Sequence, residues 1–512
     1  MKRLLPWIVF AAILIMLIVV EARPAFPDPD SFYHAKMALM IRDQGFVHEF
    51  PWLRETVLAE HYVDHHLLYH ILLIPFVSFA TPLVGMKISA VVFALLAFYV
   101  LYRVLKEVKA PRPEWLTLAA ALSVSFFHRM SLPRAPSLSV AFLFLGVWAM
   151  LRRKHSLTFI IAALFVWLYN GWPLLIAAFL CVALAEVLAG HLLKEKMFTI
   201  VKTGAALLAG LVAGLVINPY FPTNIQFDIL HIVKIGLANY APNVPVGQEW
   251  GGANLPRLVS QNILTVLPLV LSICLLIPAA AARPVRLTRD HIAAVFTFTL
   301  MTAGFFLMTL KSTRYSEYLI PVMVLATGSV LAIIWPFIKE ELYPEFRRWF
   351  APRVLRAGLA LGTAMAVFFL FVVNTVQTAI PSGSFQRTHY EGATNWLRAN
   401  VPPGAIIFHN TWDSSMVLFY LDDTHYYLIG LDPRFMYDKS PERYQVWEDI
   451  VSGKGELNKI DSAFGSQVVF IDKRIESSLR NQLEEGGFQK QYADEWTEVY
   501  TLTTKNNSID DI

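Results

Sequence analysis

The sequence predicts a polytopic α-helical membrane protein with a small C-terminal extracytoplasmic α/β domain. Of its 512 residues, 56% are hydrophobic and 16% charged, and the mean hydropathy is +0.49, more apolar than a soluble domain needs. Beyond Ile380 the long apolar runs give way to short apolar strands separated by amphipathic segments, the pattern of a small α/β unit. The formal charge of +4 is small, and Lys and Arg sit in short clusters between apolar runs. Such a pattern reports membrane topology and gives no footprint for nucleic acid. Cys181 and Cys274 each fall inside an apolar run, where a small buried hydrophobe is the plain reading and a structural disulfide has little support.

The chain opens with Lys2 and Arg3 ahead of the unbroken run Leu4 to Val20. That run is long for a signal sequence and reads as an uncleaved first span with its start in the cytoplasm. Further spans are predicted at Val84 to Leu105, Trp115 to Leu132, Ser137 to Leu151, Ser156 to Tyr169, Trp172 to Leu193 and Phe198 to Ile217. Four more follow at Val259 to Ala282, Ile292 to Leu310, Tyr315 to Ile338 and Ala357 to Val376. Alternate loops, such as "RVLKEVKAPRPE", "RRKH", "HLLKEK", "RPVRLTRDH" and "KEELYPEFRRWFAPR", are rich in Lys and Arg and are expected in the cytoplasm.

The other loops then face outward, chiefly residues 21–83, residues 218–258 and everything beyond the last span. About eleven spans satisfy this rule, up to thirteen on a looser count, provided that Leu67 to Ala80 is an interfacial or re-entrant helix. Residues 1–380 form the multi-span part and 381–512 the outward domain. Its expected strands are "AIIFHN", "YYLIG", "VVFID" and "TEVYTLT", with "EGATNWLRANV", "PERYQVWEDIVSG" and "IESSLRNQLEEGG" between them and polar "TTKNNSIDDI" as a frayed end.

Five outward stretches carry chemistry. In "PDPDSFYHAK", Asp30 reads either as the N-cap of a helix closed by Gly45 or, with Asp28, as a carboxylate pair suited to a hard divalent cation, Mg²⁺ or Mn²⁺. Glu249, near the end of a long outward loop, precedes two glycines that would let backbone approach a ligand. "EHYVDHHLLYH" sets His61 and His65, and His66 and His70, at helical i,i+4 spacing, read either as metal ligands on one face or as packed imidazoles. Lys311 and Arg314 stand at an outward membrane edge, as snorkelling anchors or as a phosphate site. Trp412 and Asp413 follow the first strand of the outward domain, where a helix cap is the plain reading.

Together these stretches resemble the catalytic subunits of oligosaccharyltransferases, especially the single-subunit bacterial and archaeal forms, within the GT-C membrane glycosyltransferases that use polyprenyl-linked donors. "DSFYH" is similar to the first-loop acidic motif, which makes Asp30 the metal-binding carboxylate and Asp28 its neighbour. "VGQE" resembles the late-loop motif ending in a catalytic Glu, here Glu249. "STRYSEYLIP" resembles the segment whose Arg meets the donor phosphates, here Arg314. "NTWDSS" is similar to the Trp-Trp-Asp acceptor motif, carried over to Trp412 and Asp413. Two departures stand out. The second acidic pair expected after the third span is replaced by "HRMSLPRAPSLS", with Arg129 and Arg134, leaving His65 or His66 as a substitute metal ligand. Thr411 stands for the first Trp of the acceptor motif, and Ser414-Ser415 for Tyr-Gly.

The resemblance implies transfer of a glycan from a polyprenyl (pyro)phosphate to an acceptor protein or glycan, with Asp28, Asp30, Glu249 and His65 around the metal. A relative that moves one sugar from polyprenyl phosphate to a lipid, glycan or protein hydroxyl is the alternative. A non-catalytic transporter or degenerate relative is the third reading, which fits less well because the acids lie in outward loops and not at mid-membrane.

Overall fold

The computed structural model describes residues 3–79, 81–194, 200–238, 244, 247–282, 287–345, 354–380 and 385–503. Parts of the basic loops and the "TTKNNSIDDI" end beyond Thr503 lie outside the described residues. Among those described, six helices are long and apolar enough to cross a membrane: Pro82–Glu107, Pro173–Leu193, Ile263–Ala282, Arg289–Lys311, Thr313–Glu345 and Gly362–Ala379. A bent pair makes a possible seventh span, and Leu5–Glu21, Leu67–Phe79, His155–Leu168 and Ile200–Val216 are shorter apolar helices. The chain is therefore built as a multi-pass integral membrane protein.

The helices used below are α1 (Leu5–Glu21), α2 (Asp30–Gln44), α3 (Leu67–Phe79), α4 (Pro82–Glu107), α5 (Pro113–Ala121), α6 (Val124–Ser131) and α7 (Pro136–Leu151). The predicted span Trp115 to Leu132 is in fact two short helices, α5 and α6, separated at Leu122–Ser123. Between α6 and α7 the chain turns by 109°, across a segment holding Pro133 and ending at Pro136, where a missing N–H is tolerated because it opens a helix.

The two ends of the helical bundle differ in chemistry. At one end Arg152 meets Glu107 at 3.2 Å and Asp290 at 3.3 Å, while Arg153 and Arg289 share Glu186. At the other end Lys87, in the first turns of α4, lies 3.7 Å from Glu21 at the close of α1 and donates to the Ala25 carbonyl at 2.9 Å. Helix α4 thus starts on the side where α1 finishes. It follows that α3, lying between them, begins and ends on that same side, as an interfacial helix does.

The C-terminal part forms a five-stranded sheet in the order β2-β1-β3-β5-β4, from β1 (Ile406–His409), β2 (Tyr426–Tyr427), β3 (Val468–Asp472), β4 (Phe488–Ala493) and β5 (Thr497–Leu502). Strand β1 pairs in parallel with β2 and β3, while β5 runs antiparallel to β3 and β4. All five residues of β3 are buried, as a central strand requires. This unit sits directly on the first loop: Phe26 bridges Phe385, Leu53 bridges Tyr427, and Lys36 pairs with Asp423 at 2.8 Å. Cys181 and Cys274 are free thiols.

Candidate functional site

Helix α2 begins at Asp30, with Pro29 at its cap position and no side-chain cap hydrogen bond. Asp30 is therefore the first helical residue and not the cap, and the helix dipole favours its carboxylate there. Gly45, at φ 82°, ends the helix as expected. The first turn is pinned from behind: the His70 Nδ1 lies 2.7 Å from Asp64 Oδ2, and the His34 Nδ1 lies 2.7 Å from His70 Nε2. An ionised Asp64 fixes both tautomers, since it accepts from His70, whose other nitrogen then accepts from His34. Tyr33 and Tyr62 exchange a further hydrogen bond at 2.7 Å.

The 109° corner between α6 and α7 brings Arg134 to the start of α2, while Arg129, in the last turn of α6, reaches two glutamates. Arg134 places Nη2 at 2.8 Å from Asp30 and Nη1 at 3.5 Å from Asp28. Arg129 donates from Nε to Glu317 at 2.8 Å and from Nη1 to Glu249. Arg314 donates to the other oxygen of Glu249 at 3.3 Å and to the Tyr169 hydroxyl. The Glu249 turn is tied down by its own carbonyl, which accepts from Ser312 at 2.8 Å and Thr313 at 3.0 Å. A Cβ on Gly252 would meet the Leu310 carbonyl at 2.7 Å, so this glycine permits a close backbone-to-backbone approach in the wall of a cavity.

Two cavities meet at these charges. One, of about 220 Å³, is lined by Asp28, Asp30, His34, His65, His66, Arg134, Glu249, Arg314, Trp412 and Asp413. The second, of about 730 Å³, shares Asp28, Arg134, Glu249 and Arg314 and adds Arg129, His128 and Arg257. Beside it runs an apolar groove formed by Leu255, Pro256, Val259 and Ile263. The exposed guanidinium of Arg257 has no carboxylate partner among the described residues.

The carboxylates titrate differently. Burial raises the Asp30 carboxyl to about 7 against the pull of Arg134, with Asp28, Glu249 and Asp413 adding to the rise. Burial likewise raises Asp413 to about 6, with Arg474 opposing. Burial also works against ionisation of Glu249, but Arg129, Arg314 and Arg134 outweigh it and hold this carboxyl well below the usual range. His65 is lowered to about 4 by burial, and His34 and His66 are lowered in the same way, so all three rings are neutral at pH 7.

Of the residues singled out in the sequence for chemistry, Asp28, Asp30, Glu249, Arg314, Trp412, Asp413, His65 and His66 line the smaller cavity, whereas His61, His70 and Lys311 do not. Asp413 makes no side-chain cap bond to the helix Ser414–Leu421 that follows it, so capping does not explain it. The histidine run does not form one helical face, because α3 starts only at Leu67. His65 instead stacks on Phe227 at 5.1 Å between centroids and packs against His66 and His231. The Nδ1 atoms of His65 and His66 are buried without a hydrogen-bond partner among the described residues. Tyr169 and Arg257 lie outside the quoted motifs and Glu317 lies within "STRYSEYLIP", and none of the three was expected here.

No protein-family model matches the chain, and no curated protein matches it. Solved structures do, and they show its fold, which is GT-C-like, as in the membrane glycosyltransferases that follow. The archaeal oligosaccharyltransferase AglB from Archaeoglobus fulgidus, in complex with an inhibitory peptide and a dolichol-phosphate, is similar at TM-score 0.64 and 12% identity, over 99% of this chain and 75% of that one. ArnT from Cupriavidus metallidurans, bound to undecaprenyl phosphate, is similar at TM-score 0.54 and 13% identity, over 98% of both chains. The arabinofuranosyltransferase AftD from Mycobacteria gives 0.56 and 13%, over 98% of this chain and 40% of that one. At such identities the likeness is one of fold.

The archaeal enzyme has also been solved in complex with Zn and sulfate, which bears on the expected Mg²⁺ or Mn²⁺. A cation site needs acidic or imidazole groups converging on one point. Here Asp28 and Asp30 converge on Arg134, and Glu249 on Arg129 and Arg314. Among the described residues no group of three or more His, Cys, Asp or Glu is arranged to hold a metal. The set of Asp28, Asp30, Glu249 and His65 thus does not fit a divalent cation, because a guanidinium fills the space between the carboxylates.

Proposed function

We propose that the protein is a glycosyltransferase that moves sugar from a polyprenyl (pyro)phosphate to an acceptor on the extracytoplasmic face of the membrane. The observation that carries this reading is the meeting of two cavities at Asp28, Arg134, Glu249 and Arg314, the larger beside an apolar groove and the smaller, which Asp30 lines, bordered by residues of the C-terminal domain. The groove suits a polyprenyl chain, and Arg257 with Arg314 suits its phosphate. The smaller cavity suits the acceptor, which Trp412 and Asp413 would border.

In the step so arranged, the acceptor gives its proton to Asp30 and its freed electron pair attacks the anomeric carbon. The carbon–oxygen bond to phosphate breaks, and its electron pair leaves on the lipid phosphate. A carboxyl raised to about 7 is matched to such base work near neutrality. Glu249, held ionised by three arginines, fixes Arg314 and Arg129 where negative charge grows on the leaving group. The buried, unpartnered nitrogens of His65 and His66 offer hydrogen bonds to sugar or acceptor hydroxyls.

The oligosaccharyltransferase type, with a protein acceptor, follows from the resemblance of the motifs. A single-sugar transfer from polyprenyl phosphate to a hydroxyl is the second reading, favoured by Thr411, Ser414 and Ser415 in place of the acceptor motif, and the undecaprenyl phosphate bound by the similar ArnT structure accords with a phosphate-linked donor. Either reading puts the amino terminus in the cytoplasm and the C-terminal domain outside. The test is transfer by membranes supplied with extracted polyprenyl-linked sugars, with Asp30→Asn and Glu249→Gln as variants. Loss of transfer in both, with the protein still folded, supports the assignment; full activity in both removes it.

A further inference from the structure

We propose that the guanidinium of Arg134 does the work of a bridging divalent cation, so that this chain's reaction needs neither Mg²⁺ nor Mn²⁺. The inference rests on the glycosyltransferase reading for the reaction and on the contacts of Arg134 for the charge.

Arg134 touches one oxygen of Asp30 at 2.8 Å and one of Asp28 at 3.5 Å through different nitrogens of its planar fork. That is the bridging role a metal ion would have between two carboxylates, performed by a group that cannot dissociate into solvent. Its charge is secure, because Asp30, Asp28 and Glu249 raise its pKa further despite burial. The backbone holds it in place: the Arg134 N–H donates to the Leu132 carbonyl at 2.8 Å inside the corner between α6 and α7.

A purely structural ion pair would have no reason to face substrate space, yet Arg134 lines both cavities. Asp28 keeps Oδ1 buried with no hydrogen-bond partner among the described residues, and Asp30 lines the smaller cavity, where the acceptor proton would be taken up. One guanidinium carries a single positive charge where a metal ion carries two, and Arg314 and Arg257, which line the larger cavity with Arg134, make up the difference. The position of Arg134 in the sequence agrees, since "HRMSLPRAPSLS" presents arginines where a metal site of this kind would need acids.

The decisive experiment is Mn²⁺ binding to the purified full-length protein in detergent, read by electron paramagnetic resonance. Wild type should leave the free Mn²⁺ signal unchanged, whereas Arg134→Asp, which places a third carboxylate beside Asp28 and Asp30, should bind the ion and reduce that signal. Mn²⁺ bound by wild type and released by Asp30→Asn would overturn the proposal, and this comparison decides the matter even where Arg134→Asp does not fold. In parallel, transfer by wild-type membranes in EDTA should stay within about twofold of the untreated rate, and loss in EDTA restored by Mn²⁺ would also overturn it. Saturable binding of undecaprenyl phosphate is measured on the same preparation. Wild type that ignores Mn²⁺ yet neither binds this lipid nor transfers sugar would sink the glycosyltransferase reading, a failure distinct from that of the cation proposal.

Discussion

Arg129 Nε lies 2.8 Å from Glu317 Oε2, joining the last turn of α6 to the start of a spanning helix 188 positions further along the chain. Glu317 has no exposed surface. Arg129→Ala would leave that carboxylate buried and uncompensated, a loss of about 3–5 kcal/mol for pairs of this kind. The expected outcome is a clear fall in the thermal unfolding midpoint in detergent, with Arg129→Lys recovering only part of it because one ammonium cannot serve Glu317 and Glu249 in the same fork geometry. An unchanged midpoint in Arg129→Ala would mean the pair is solvated after all.

A second prediction concerns pH. Asp30 must be ionised to accept a proton and its carboxyl sits at about 7, so kcat/KM should rise with pH through that value and fall away below it. Arg134 is the contact that pulls this pKa down, so Arg134→Gln should move the limb to higher pH. Stability should respond in the opposite sense. The folded-state value lies above the ordinary 3.8, the folded protein holds the extra proton between the two, and the contribution of Asp30 to stability therefore declines as pH rises from about 4 to about 7. Asp30→Asn should remove both trends, and a rate profile flat from pH 5 to 8 in wild type would rule Asp30 out as the base.

Much of this site was legible because its acids lie in loops that one topology puts on one side. Asp28, Asp30, Glu249, Trp412 and Asp413 come from three distant segments and still share one cavity. The arginines were harder to read. Lys311 and Arg314 at a membrane edge look like snorkelling anchors, and only the 109° corner between α6 and α7 brings Arg134 onto Asp28 and Asp30. The separate break between α5 and α6 was hidden because Trp115 to Leu132 reads as one apolar run, with neither Pro nor Gly at Leu122–Ser123. Strand β4, "FQKQYA", was missed for a related reason. It is polar and mostly exposed, and it exists through backbone pairing with β5, which leaves no hydrophobic alternation to find.

Arg257 gives the sharpest separation of binding from folding. It is exposed, lines the larger cavity and has no carboxylate partner among the described residues, so Arg257→Ala should leave thermal unfolding unchanged. A charge-assisted hydrogen bond to phosphate contributes about 1.5–3 kcal/mol, so its loss should weaken undecaprenyl phosphate binding by roughly tenfold or more. The effect should shrink as salt is raised, because the contact is exposed. Unaltered affinity at low salt would move the phosphate site away from Arg257.

The acceptor side can be separated from the donor side at Trp412. Trp412 and Asp413 hang from the C-terminal sheet into the smaller cavity and do not line the larger one. If the acceptor is held there, Trp412→Ala removes apolar contact with the acceptor and leaves the phosphate contacts of Arg257 and Arg314 in place. The expected result is a raised KM for acceptor, with undecaprenyl phosphate affinity unchanged. Asp413→Asn should act in the same direction and should also alter the pH dependence near 6, where burial sets this carboxyl. Weaker donor binding in Trp412→Ala, at constant acceptor KM, would reverse the assignment of the two cavities.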